Sequence, residues 1–122
     1  TCTFLWLALE PAKLSDRARR LLDDPRTVRQ LSRVSVLEIV LKHRAGRLPL
    51  PQPPENWIPS RRAFFQLEDL PMEEAVIYRS GMLPGGHDDP FDRLLAAHAI
   101  EAGSTLVSPD TPLSELGASR VW

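Results

Sequence analysis

Apolar positions recur along this chain in two rhythms. Short runs rich in β-branched residues alternate with longer stretches whose apolar positions return every three to four residues, the spacing of one helix face. Thr3 to about Leu9 predicts a short apolar helix closed by Pro11. "LSDRARRLLDD" predicts a second helix, with Ser15 as N-cap, Asp16 in the first turn and Pro25 beyond its end. "TVRQLSRV" alternates roughly and is rich in β-branched residues, which predicts a strand. In "SVLEIVLKHRAG" the residues Val36, Ile39, Val40 and His43 fall at helical spacing, and Gly46 is a suitable stop. "RLPLPQPPENWIP" then holds five of the twelve prolines within eleven residues, a stiff extended connector.

Beyond the connector, a helix is predicted after Pro59 with Ser60 near its start, followed by a short strand in "QLEDLPM". "MEEAVIYRSGM" predicts a helix ended by Gly81. "HDDPFDRLLAAHA" opens another helix, with Asp89 as cap and Pro90 at the first helical position. "STLVS", between Gly103 and Pro109, has the length and composition of a buried parallel strand, and "SRVW" is a candidate for one more. Strands alternating with helices predict an α/β sandwich with a mainly parallel sheet. In such folds active sites form beyond the carboxyl ends of the strands. The opening "TCTFLWLALEPAKLS" reads as a helix entered without the strand that should precede it, so a few residues are expected upstream of Thr1.

At 122 residues the chain is expected to be a single domain. No apolar run approaches the ~18–20 residues of a membrane span. "CTFLWLAL" also lacks the flanks of a signal peptide. One cysteine, Cys2, excludes an internal disulfide and fits a reducing, cytoplasmic setting. One Cys and three scattered His give no zinc spacing. Residues 1–50 hold ten Lys/Arg against five Asp/Glu, whereas residues 51–122 hold five against eleven. A basic half beside an acidic half suits a polyanion held near clustered carboxylates, or simply two solvated faces.

Three acids stand out. Asp92 heads a stripe of small residues, Ala96, Ala99 and Gly103, while Phe91, Leu94, Leu95, His98 and Ala102 form an apolar stripe beside it. A carboxylate in a crowded setting needs a partner or a cation. Asp110 follows the strand "STLVS", as a site residue or as a turn aspartate. Glu38 lies among Val36, Leu37, Ile39, Val40 and Leu41, and Lys42 at i+4 is its structural partner if it has one. Hard divalent cations take a few carboxylates and several waters. Such a cluster supports phosphodiester hydrolysis, the ions orienting a water and stabilising the leaving oxygen. His98, on the apolar stripe, reads as a core histidine.

"TCTFLWLAL", "LSRVSVLEIVLKHRAGRLPLP", "HDDPFDRLLAAHAIEAGSTLVSPD" and the closing "VW" together resemble the PIN-domain family, in particular its VapC-like toxins. The resemblance covers most of the chain. It implies a three-layer α/β/α sandwich with a mainly parallel central sheet, and an endoribonuclease that cuts single-stranded RNA with Mg²⁺ or Mn²⁺. It assigns catalysis and metal binding to Glu38, Asp92 and Asp110, matches Ser35 to a small polar motif position, and matches Thr1 to the threonine after a first acid. The resemblance leads one to expect that acid, an aspartate ending the first strand, immediately before Thr1. Lys42, with Arg44 and Arg47, is a candidate to hold RNA phosphates; Thr1 and Ser35 complete the substrate-binding set. The resemblance also implies a cognate antitoxin protein and a homodimer. Cys2 and Leu37 depart from the histidine and tryptophan frequent in this subgroup. The alternative is a catalytically degenerate PIN domain that binds protein or RNA.

Overall fold

Helices carry most of the chain, and four short strands lie between them. The computed structural model describes residues 1–122. In order come α1 (Cys2–Leu9), a single 3₁₀ turn at Pro11–Lys13, α2 (Asp16–Asp23), β1 (Gln30–Ser32), α3 (Arg33–Arg44) and α4 (Pro54–Phe64). The second half holds β2 (Glu68–Leu70), α5 (Glu74–Met82), α6 (Pro90–Ala102), β3 (Leu106–Val107), α7 (Pro112–Glu115) and β4 (Arg120–Val121). β1 pairs in parallel with β2, with Leu31 opposite Asp69, and β3 pairs in parallel with β4, with Leu106 opposite Arg120. The α/β class and the parallel pairing agree with the sequence. The strands form two pairs rather than one sheet.

Local chemistry explains the best-defined ends. The Ser15 hydroxyl accepts from the Ala18 amide at 3.0 Å and starts α2. Asp89 accepts from the amides of Phe91 and Asp92 at 2.9 and 3.4 Å, and Pro90 costs α6 nothing because its missing N–H has no helical acceptor. Gly103 ends α6 at φ 62°, a left-handed conformation that favours glycine. The Ser32 hydroxyl caps α3 by accepting from Val34 N at 3.0 Å, so the predicted strand stops at Ser32 and Val34 joins the helix.

The proline-rich connector is shorter than the sequence suggests. α4 starts at Pro54, and Pro59 lies inside it. Pro54 occupies the first turn, where proline fits. Pro59 deprives the Glu55 carbonyl of its helical donor, but both residues are exposed, so water replaces that bond while Trp57 and Ile58 stay buried.

Two apolar centres result. Phe4, Leu31, Ile39, Trp57 and Ile58 join α1, β1, α3 and α4, with Phe4 and Trp57 edge to face at 5.6 Å. Ala96, Leu113, Leu116 and Ala118 join α6 to α7 and the approach to β4. The Trp6 ring of α1 packs on Trp122 at 5.6 Å. His98 is a satisfied core residue, as its stripe predicts. The Ser32 hydroxyl donates to His98 Nδ1 at 2.8 Å, and His98 Nε2 donates to the Pro71 carbonyl at 3.1 Å. Burial pushes its pKa down, so the ring is neutral.

Between the two strand pairs lies a cavity of about 430 Å³, lined by all three residues of β1, both of β3, and side chains of α1 and α6. Were such a void sealed and dry, roughly 24 cal/mol per Å³ would make it cost about 10 kcal/mol, comparable with the whole stability of a domain.

Ile39 is fully buried, whereas Leu41 two residues on is 42% exposed. Ile39→Ala is expected to cost about 2–5 kcal/mol and Leu41→Ala about 0.5 kcal/mol or less, read from urea unfolding midpoints. Equal losses would show that α3 is turned differently.

Candidate functional site

The carboxyl ends of β1 and β3 meet at the first turn of α1. β1 runs straight into α3, whose first turn carries Ser35, only 3% exposed. β3 is followed by Ser108, Pro109 and Asp110, and then by α7. Thr1 precedes α1 and does not cap it with its side chain; its hydroxyl donates to Ser35 Oγ at 3.1 Å. Cys2 Sγ donates to Asp110 Oδ2 at 3.8 Å. Two adjacent residues thus tie α1 to both strand ends.

Asp110 is exposed and held by one hydroxyl. The buried Ser108 Oγ donates to Asp110 Oδ2 at 3.1 Å and accepts from the Asp110 amide at 3.2 Å. The turn reading and the site reading of Asp110 are therefore compatible: the turn orients the carboxylate. Ser108 was legible in "SPD", since serine two residues before a turn donor is familiar turn chemistry. Arg120 of β4 donates to the Ser108 carbonyl at 2.7 Å and steadies the same corner.

Asp92 lies in the first turn of α6 with its side chain 26% exposed. His87 Nε2 meets its Oδ2 at 2.7 Å. The sequence gives no hint of this pair, because the chain between the two residues bends at Pro90 and no periodicity relates them. The hydrogen bond to Asp92 raises the His87 pKa above its ordinary value. The charges of Asp92, Asp89 and Glu115 add to the rise, and burial opposes it. Asp92 thus sits in a negative field that draws a proton onto its neighbour, and the same field favours a hard cation.

Arg93 holds the loop that carries His87. Its guanidinium donates to the carbonyls of Ser80 at 3.0 Å, Leu83 at 2.7 Å and His87 at 3.2 Å.

Glu38 stands in the second turn of α3, its side chain 12% exposed, and accepts from Lys42 Nζ at 2.6 Å. The i+4 pairing open in the sequence is the one observed. It ties up Lys42 and gives the half-buried carboxylate a cation. Arg44 lines a second cavity of about 480 Å³ between α3 and α4, together with His43 and Arg62. Arg47 is exposed beyond the helix.

Thr1 and Ser35 are brought together, and so are Cys2 and Asp110. Glu38, Asp92 and Asp110 do not form one group: no three His, Cys, Asp or Glu side chains stand close enough together to hold a metal ion. As donors, all three are the hard oxygens that Mg²⁺ or Mn²⁺ prefers.

The sequence pattern of the PIN domain matches residues 1–118. The chain belongs to the PIN-domain family. No curated protein matches it. PIN domains are generally nucleases that act on nucleic acid and use divalent metals. The parallel strands and seven helices suit the α/β/α architecture of the family. No helix of this PIN domain is long and apolar enough to cross a membrane.

The His87–Asp92 pair sets a pH dependence. Because the folded pKa of His87 lies above its unfolded value, the stabilisation is complete below about pH 6.5 and fades as pH rises through the raised value. Asp92→Asn is expected to lower the His87 pKa toward the ordinary value in an NMR titration of its ring protons. An unchanged titration would mean that another group holds the proton.

Proposed function

We propose that this PIN domain is an Mg²⁺- or Mn²⁺-dependent endoribonuclease that cuts single-stranded RNA, acting in the cytoplasm as the toxin of a toxin–antitoxin pair. One observation carries this reading. In a chain of a nuclease family, α1 ties together the ends of two parallel strands, and acids stand beside that junction. Asp110 directly follows β3, and Glu38 stands one turn past Ser35 in the helix that follows β1.

In this reading Asp92 and Asp110 hold the ion, with Glu38 as a further ligand or an outer carboxylate. One or two carboxylates with several waters suffice for Mg²⁺. The ion, when bound, supplies charge stabilisation at the phosphodiester and a favourable environment for hydrolysis. The chain's own residues do the rest. Ser108 orients Asp110, and His87 holds one oxygen of Asp92. Thr1 stands at the junction for the substrate backbone, and the buried Ser35 holds its hydroxyl in place at 3.1 Å. Lys42 neutralises Glu38 in the free protein and is released toward a phosphate when that carboxylate takes a cation.

The partner in this reading is a small antitoxin, and the working form is a homodimer. Exposed apolar side chains on α3 (Leu37, Val40, Leu41) and α5 (Ile77, Tyr78, Met82) offer surface for both.

A second reading, a catalytically degenerate PIN domain that binds RNA or protein, draws on a different observation. Glu38 is paired with Lys42 and Asp92 with His87, and the acids form no three-ligand group.

The two readings part on substitution of the acids in the polypeptide expressed from its natural start. Asp92→Asn and Asp110→Asn are each expected to lower Mg²⁺-dependent cleavage of a single-stranded RNA by at least about a hundredfold, with little change in thermal unfolding. Asp23→Asn, at the far end of α2, should cut normally. An unsubstituted protein that binds RNA but does not cleave it with Mg²⁺ or Mn²⁺ supports the second reading and overturns the first.

A further inference from the structure

The cavity of about 480 Å³ between α3 and α4 has the size of a small-molecule site. Arg33 at the start of α3 and Arg62 near the end of α4 both reach Asp69, at 2.6 and 3.9 Å. The two helices therefore run in opposite directions. His43 and Arg44, in the last turn of α3, share the other end of the cavity with Glu55, in the first turn of α4. Val36, Val40, Ile58 and Pro59 line the space between the ends. At about 3.6 residues per turn, Val36, Val40, His43 and Arg44 share one side of α3, and Glu38 and Lys42 share the opposite side. The cavity is thus separate from the three candidate acids.

Both arginines are short of partners. Arg62 Nε is buried and has no hydrogen-bond partner. Asp69, the carboxylate that pairs with Arg62, is already gripped by Arg33, whose Nε donates to Oδ1 at 3.1 Å and whose Nη2 donates to Oδ2 at 2.6 Å. Arg44 and Glu55 form no ion pair at all. A buried donor left unmade is costly, so the guanidinium of Arg62 is a place for an anion. One underused cation at each end of an apolar slot suits a ligand with an anion at each end and a flat body between. A nucleotide within a single strand is such a ligand, because a phosphate flanks it on both sides. Phosphate matches the arginine fork. An unpaired base can lie on the apolar wall and on the His43 ring, whereas a base in a duplex is stacked on its neighbours. Glu55 is left as an acceptor for a ribose hydroxyl or a base amino group.

We propose that this cavity is a second nucleic-acid site, which takes one unpaired nucleotide of a single strand, with its flanking phosphates on Arg62 and Arg44. It holds the strand on the face of α3 turned away from the acids. The inference rests on the family's action on nucleic acid and needs neither the ribonuclease nor the toxin reading.

The test uses the polypeptide expressed from its natural start, an oligouridylate and EDTA, so that binding is read without cleavage. The Val36 and Val40 methyl signals are expected to shift in NMR spectra when the oligomer is added, and to stay in place with duplex RNA. Arg44→Gln combined with Arg62→Gln is expected to weaken binding at least about tenfold and to lower the slope of log affinity against log salt by about 1.4, two phosphates at about 0.7 each in a single strand. Arg17→Gln combined with Arg20→Gln, at two exposed arginines of α2, removes the same charge and should leave the slope unchanged. An oligomer that does not bind, or that binds without moving the methyl signals, overturns the proposal whether or not the double variant folds. An equal loss in the α2 variant overturns it too, since overall charge then accounts for binding. Uridine monophosphate that binds as tightly as the oligomer identifies a free nucleotide as the ligand and overturns the strand site. Equal methyl shifts with polyglutamate identify a carboxylate-bearing protein as the occupant and likewise overturn it.

Discussion

A parallel strand cannot turn straight back on itself; the chain must cross the sheet and start again from the same end. Both strand pairs obey this constraint. α3 and α4 carry the chain from β1 to β2, and α7 carries it from β3 to β4. The residues leaving each strand are therefore delivered to one edge. Ser32 and Ser35 stand at the exit of β1, and Ser108 and Asp110 at the exit of β3. Polar groups collect there because the path of the chain leaves them nowhere else, while Leu31 and Ile39 go inward. The first turn of α1 then ties the two edges together through Thr1 and Cys2.

The three candidate acids are not idle. Each already holds a neutralising or hydrogen-bonding partner: Lys42 for Glu38, His87 for Asp92, Ser108 for Asp110. A half-buried carboxylate without a partner is costly, so the free protein supplies one. Lys42 is a flexible cation whose own side chain is 43% exposed, and His87, unlike an arginine, can give up its proton.

Local signals in the sequence are sufficient for much of this. Asp89 and Pro90 announce α6, Gly103 announces its end, and His98 on an apolar stripe is indeed a core residue. Ser15 marks the start of α2 in the same way. Two kinds of feature escape such signals. Pro59 reads as a barrier, yet it lies within α4, because exposure lets water take the place of the lost bond. The His87–Asp92 pair is hidden because it is closed by an irregular loop, where neither period of regular structure applies. The two separate strand pairs are also beyond the sequence, since runs of two or three residues do not reveal which strand lies beside which.

Arg93 gives the loop from Leu83 to His87 an unusual mechanical status. One guanidinium on α6 gathers carbonyls from Ser80, Leu83 and His87, so the end of α5 and the loop are fastened to the same helix that bears Asp92. The imidazole and the carboxylate it touches consequently belong to one rigid piece. Swinging the ring aside by loop motion means breaking several charge-assisted bonds at once, whereas a turn about its own side-chain torsions breaks one. Access to Asp92 is governed by a rotamer, on the nanosecond scale of side chains rather than the slower scale of loops.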